Sequence, residues 1–140
     1  MRFMLLMIPR GYESAPAGIV PPVDRVAEMM KYNESLQQAG VLLALDGLHP
    51  PSMGARVSFA GGTPKVVDGP FAEAKECVGG YWVIQARSRE EAIEWARRCP
   101  ASEDETIEIR QVQEIDDFPA DWQAAAAALP EMQTDIGQRA

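Results

Sequence analysis

A chain of 140 residues, 46% of them hydrophobic, is the size of one domain with enough apolar side chains for a core. Its formal net charge of −8 argues against nucleic acid or anionic membrane as a partner, since both need a basic surface, and no apolar run approaches the ~20 residues that cross a bilayer. Two cysteines, Cys77 and Cys99, and a single histidine supply neither a disulfide framework nor a zinc ligand set, which predicts reduced thiols in a cytoplasmic protein with no metal and no cofactor.

Phe3 to Ile8 is apolar at every position, the pattern of a strand covered on both faces, and it is too short for a signal-peptide core. Pro9 to Pro22 contains four prolines and predicts a long loop of the mobile or functional kind. Val23 to Ala39 reads as a helix. Val26, Met29, Met30 and Leu36 form its apolar stripe, Asp24 and Glu28 favour its N-terminus, and Gly40 supplies a left-handed stop. A second strand, Val41 to Leu45, runs into Asp46-Gly47-Leu48-His49-Pro50-Pro51. Arg56 to Ala60 and Lys65 to Val67 flank Gly61-Gly62-Thr63-Pro64 as a hairpin.

The segment Val67 to Glu76, closed by Gly79-Gly80, packs charge around a turn stiffened by Gly and Pro. The strand Gly80 to Arg87 follows. Ser88 with Glu91 forms a capping box for a helix to about Arg98, with Ala92, Ile93, Trp95, Ala96 and Cys99 inward and Pro100 as its stop. Thr106 to Val112 alternates Ile107 and Ile109 with Glu108 and Arg110, a half-buried strand. Beyond Glu114, Phe118-Pro119 opens a short helix through Ala128, with Trp122 and Leu129 at i, i+7. Its Ala-rich sequence needs Trp122 to dock, and 131–140 reads as a frayed tail.

The order β-α-β, hairpin, β-α-β predicts a ferredoxin-like α+β fold, βαββαβ with an inserted β-hairpin, over residues 1–113, and a C-terminal extension over 114–140. Two principal helices cover one face of such a sheet. Phe3, Leu5 and Met7 emerge on one side of the first strand, and Met4, Leu6 and Ile8 on the other; Tyr81 and Val83 oppose Trp82 and Ile84 in the same way. A bare apolar face is avoided by soluble monomers, so a homodimer with sheets packed face to face is expected. The alternative is that the tail helix folds back over that face with Phe118 and Trp122.

Asp68-Gly69-Pro70-Phe71-Ala72-Glu73-x-Lys75-Glu76, followed by Gly79-Gly80, resembles the DGPF-motif branch of the YCII-related proteins. Met1 to Leu6, the Gly47-Leu48-x-Pro50 turn, and Glu91-Ala92-x-Glu94-Trp95-Ala96-x-x-Cys99-Pro100 are similar to the same branch, so the likeness spans roughly residues 1–113. The resemblance implies a dimeric α/β barrel. The branch usually has Thr where this chain has Ala74, which removes any hydroxyl role there. Some family members carry a transcription-initiation label through association with sigma factors. Others are treated as enzymes by analogy with related barrels, an argument at fold level only.

Asp68 is the first candidate for chemistry: at a strand end before Gly-Pro, its carboxylate can act as a base or anchor a cation. The structural alternative is a cap on a short helix begun by Pro70. Glu73 and Glu76, i and i+3 on a single helical turn, can share a proton or form a solvated face; Lys75 can hold an anion or pair with an acid. His49 titrates nearest neutrality and is placed to pair with Asp68, as His–Asp pairs do in related barrels, though it matches no signature position; a loop histidine beside Pro50 is otherwise simply exposed. Tyr32 projects toward a cleft between helix and sheet or packs with a satisfied hydroxyl. Arg10 and Tyr12 sit on a loop able to close over a ligand. Two functions follow. One is a small dimeric enzyme-like protein that binds an organic metabolite, with Asp68 and His49 moving a proton and Glu73, Lys75, Glu76, Tyr32 and Arg10 around the ligand. The other is a non-catalytic ligand-binding or regulatory module associated with a sigma factor, where Glu73, Lys75 and the acidic tail meet a protein surface.

Overall fold

Uniformly apolar sequence does produce the first strand, β1 (Arg2–Pro9), and it becomes a central strand of a four-stranded sheet. The structure is a computed structural model and describes residues 1–128. After β1 come α1 (Val23–Gln38), β2 (Leu42–Gly47), β3 (Ala55–Ser58), β4 (Lys65–Asp68), β5 (Gly80–Gln85), α2 (Arg89–Arg97), β6 (Glu105–Gln111) and α3 (Ala120–Ala127). The main sheet has the order β2-β5-β1-β6 with every neighbouring pair antiparallel. That order, with α1 and α2 as crossovers, is consistent with the expected ferredoxin-like arrangement.

Alternation along β1 divides the sheet. Phe3, Leu5 and Met7 pair with Ile84, Trp82 and Gly80 on one face, where Tyr32 and Leu36 of α1 and Ala92 of α2 complete the core. Each fully buried Leu or Ile there contributes about 1.5–3 kcal/mol. Met4, Leu6, Ile8, Tyr81 and Val83 lie on the opposite face and stay half-buried. In β2 the ladder shifts between Leu42 and Ala44. The bulge keeps Leu42 and Leu45 both on the core face, opposite Ile84 and Trp82.

Helix ends follow the local chemistry. Gly40 takes φ 72° just past α1, a conformation a side chain resists. Ser88 Oγ accepts the Glu91 N–H at 3.1 Å, but Glu91 Oε2 returns to the Arg87 N–H at 2.8 Å, so the capping box is displaced by one residue on its reciprocal arm. The stripe expected on α1 is only partly buried: Leu36 is fully covered and Met29 packs on the core, while Val26 and Met30 are 42% and 61% exposed.

The β3–β4 pair forms a separate two-stranded sheet whose eight residues are all exposed, with Gly61 and Gly62 at φ 78° and 83° in its connection. Residues 69–79 contain no helix. Ala74 N–H reaches the Phe71 carbonyl at 3.1 Å to close one turn, and the expected helical turn carrying Glu73 and Glu76 is absent. A lone helical turn fixes several residues for one hydrogen bond, and this segment has no apolar stripe to offset that cost.

The tail helix α3 forms, but Trp122 docks on Phe118 of its own segment, rings stacked at 4.0 Å, and remains 47% exposed. It leaves the second sheet face half-exposed. Arg2 Nε and Nη2 fasten the start of the tail by donating to both carboxylate oxygens of Glu114, at 2.7 and 3.0 Å. Leu129 and the frayed tail expected over 131–140 lie outside the described residues.

Candidate functional site

A concavity lies between α1 and the core face of the sheet, at the end where β1, β2 and β5 meet the loop of residues 10–22. Its volume is about 550 Å3. Met7, Leu45 and Trp82 form the sheet wall, and Val26, Met29 and Met30 form the helix wall. Ile19 to Pro22, Pro9 and Tyr12 also line the concavity.

Backbone crowding explains the Gly79-Gly80 pair at this end. A Cβ on Gly79 stands 2.9 Å from Pro9 Cγ, and one on Gly80 stands 3.0 Å from the Asp46 carbonyl oxygen. Gly79 N–H donates to the Met7 carbonyl and Leu48 N–H to the Gly79 carbonyl, so the pair knits β1 to the exit of β2. Only residues without side chains permit that approach.

Polar groups border the cleft at few points, and most are already partnered. Arg25 Nη2 donates to Glu105 at 2.6 Å and Nη1 to the Pro100 carbonyl at 2.9 Å. Tyr81 donates to Asp46 Oδ2 at 2.9 Å, which pushes its phenol up. Tyr12 donates to the Leu48 carbonyl, and burial, then Cys77, raises its phenol. Trp82, 6% exposed, donates its indole N–H to Asn33 Oδ1 at 2.7 Å. The arrangement suits an apolar molecule with a small number of hydrogen-bonding atoms. Among the described residues no cluster of three or more His, Cys, Asp or Glu is placed to hold a metal ion, and no helix is long and apolar enough to cross a membrane.

The residues singled out from sequence lie elsewhere, Tyr12 excepted. Asp68 ends β4 opposite Ala55, exposed, with no side-chain hydrogen bond among the described residues. His49 is exposed after β2. Gly69, pressed on the Pro51 backbone and donating its N–H to the Gly54 carbonyl at 2.9 Å, holds the two segments side by side, but no hydrogen bond joins His49 to Asp68. Glu73, Lys75 and Glu76 are exposed on the irregular stretch after Phe71, and none forms an ion pair among the described residues. Phe71 is what anchors that stretch, with the Arg56 guanidinium 4.0 Å above its ring. Arg10 is exposed beside Asp104, Nη1 to Oδ1 at 3.4 Å.

Tyr32 takes the packing alternative. It is 5% exposed, donates to the Trp95 carbonyl at 2.8 Å, and has its phenol pushed well up by burial. Its ring meets Trp82 edge-on, centroids 5.6 Å apart, so it supports the cleft wall from behind. Sequence reasoning missed Asn33 and Trp82 as cleft residues. An asparagine next to Tyr32 on a mixed helix looks like a solvated position, and only the fold reveals its indole partner.

A family model describing the YCII-related domain matches residues 1–116. The chain is also similar to an uncharacterized protein of Rhizobium meliloti (strain 1021), 38% identical over 74 residues, a match covering 53% of this chain and 56% of that protein. The chain thus spans little more than half the length of the curated relative it matches. With the domain match running from the first strand past the last strand of the sheet, the chain belongs to the YCII-related family.

Proposed function

We propose that this protein binds a mainly apolar organic metabolite in the cleft beneath α1, and that two copies join through the open face of the sheet. The observation that carries the first part is the cleft of about 550 Å3, inside the ~300–1,000 Å3 range of small-molecule sites. Val26 and Met30, exposed along its wall, present apolar surface that a bound molecule removes from water at about 25 cal/mol per Å2.

The open sheet face and the β3–β4 pair support the second part. Met4, Leu6, Ile8 and Val83 are half-buried on one surface, while Val57, Phe59, Val66 and Val67 are 52%, 68%, 68% and 55% exposed on the other. Sheet-on-sheet packing with a second copy covers the first and brings an arm-like hairpin within reach of the mate. The Asp68-Gly69-Pro70-Phe71 signature assigns the chain to the DGPF-motif branch in this reading. A separate proton-transfer role is assigned to Asp68 with His49 as helper, at a position outside the cleft lining. What supports this is the contact of Gly69 with Pro51, which keeps their two segments adjacent.

Titration with acetophenone, followed by amide and indole NMR, tests the cleft. Shifts at Met30, Asn33 and the Trp82 indole, abolished by Met30→Trp, are expected; shifts confined to Leu6, Val83 or the β3–β4 pair overturn the reading. On an identified substrate, Asp68→Asn is expected to abolish turnover and leave binding intact. Unchanged turnover removes Asp68 from the chemistry.

A further inference from the structure

The geometry points to Asn33 as the residue that selects what the cleft accepts, and to a ligand carrying an uncharged hydrogen-bond acceptor, such as a ketone, ester or amide carbonyl, on an apolar body. This rests on reading the cleft as a binding site and names its specificity.

A relay of fixed groups sets the Asn33 amide. Tyr32 is tied at its hydroxyl to the Trp95 carbonyl, 2.8 Å away, and its ring stands at 87° to Trp82. That contact fixes the indole, whose N–H meets Asn33 Oδ1 at 2.7 Å. An indole nitrogen is only a donor, so the amide end it meets must be the oxygen. The two orientations of this asparagine are therefore not equivalent. The NH2 end is turned away from Trp82 and donates to no described residue.

Asn33 borders the cleft, and it also borders a second recess lined by Lys31, Glu34, Gln37 and Leu42. Asn33 is half-buried and lines both, so its side chain stands at the margin between them. Two donor hydrogens held on a rigid support recognise an acceptor, while one of the two lone pairs of Oδ1 is already taken by the indole.

Charge around the cleft decides between a neutral acceptor and an anion. Arg25 is the one cation along the described lining, and it is engaged by Glu105 at 2.6 Å and the Pro100 carbonyl. Asp46 adds a second carboxylate along the same lining. One arginine against two acids leaves the rim net negative, which disfavours a carboxylate ligand and leaves a neutral carbonyl as the match for the Asn33 donors.

Acetophenone and ethylbenzene, which differ by a carbonyl against a methylene, test this on the full chain. The quantity read is the change in the ratio of their affinities between wild type and variant, in which their difference in hydrophobicity cancels. Asn33→Asp keeps an oxygen for the Trp82 indole and replaces the NH2 with a second acceptor. At pH 8 the ratio is expected to shift against acetophenone by about fivefold or more, the worth of one hydrogen bond, with ethylbenzene binding and the Trp82 indole resonance preserved. A ratio equal to wild type overturns the role of Asn33 and leaves the cleft reading standing. A measurement that needs no variant is the Asn33 side-chain NH2 resonances of the wild type, which are to move with acetophenone and not with ethylbenzene. Equal movement with both overturns the inference. If neither probe moves any cleft resonance, the binding-site reading itself falls and takes this inference with it.

Discussion

Gly69 lies so close to Pro51 that a side chain on it places its first carbon 1.7 Å from the Pro51 carbonyl oxygen. The neighbour is backbone in a 3-10 turn, Pro51–Met53, that is itself tied by Ser52 Oγ donating to the Ala15 carbonyl at 3.1 Å. It cannot swing aside as a flexible side chain can. Gly69→Ala therefore separates the β4 exit from this turn, and the expected loss is about 1–3 kcal/mol. Urea denaturation checks it; a midpoint unchanged from wild type contradicts the close contact.

The proposed pairing of two copies makes a hydrodynamic prediction. Wild-type protein sediments at twice 15.3 kDa, and Leu6→Glu, which sets a charge in the middle of the open face, sediments at 15.3 kDa with its helical signal retained. A wild-type particle of single mass at high concentration rules out the pairing.

Acid sensitivity follows from two carboxylates. Hydrogen bonds from Arg2 hold Glu114 below the ordinary value of 4.5, and the backbone N–H and side chain of Arg87 do the same for Glu91. A depressed carboxylate stabilises the fold above its unfolded pKa and loses that contribution as pH falls through its folded pKa. Stability is thus expected to hold near neutrality and decline below about pH 4.5. Glu114→Gln flattens part of that decline, by under about 1 kcal/mol because Glu114 is substantially exposed. Melting curves from pH 3 to 7 read the difference.

The two thiols are expected to resist alkylation unequally. Burial, and then Glu105, pushes Cys99 up to about 11; burial, and then Glu13, raises Cys77, with Arg56 opposing. Iodoacetamide at pH 8 labels both slowly in the native protein, Cys99 the slower, and both quickly in urea. Peptide mass spectrometry measures the order, and faster labelling of Cys99 contradicts its burial.

The framework was largely legible because its signals are local. The uninterrupted apolar runs of β1 and β5, the Ser88 cap and the Gly40 stop each act within a few residues, and each produced the expected element. The cleft was not legible. Val26 and Met30 carry the same helical spacing as Leu36, and only the path of the loop before α1 decides that they line an opening while Leu36 is sealed. Charge misled in the opposite direction. Glu73, Lys75 and Glu76 stand out in the sequence, yet the same stretch is held by Gly69 on Pro51 and by Phe71 under Arg56, contacts between segments that no periodicity announces.

The uncovered methionine and valine on the wall of α1 have a thermodynamic corollary. A molecule that fits there binds the native chain and not the unfolded one, so every tenfold excess over its dissociation constant adds about 1.4 kcal/mol to the unfolding free energy. Heat resistance thereby becomes a readout of occupancy. A library of small carbonyl compounds ranked by the melting rise they give wild type, and fail to give Met30→Trp, would identify the natural occupant's chemical class without any prior assay of turnover.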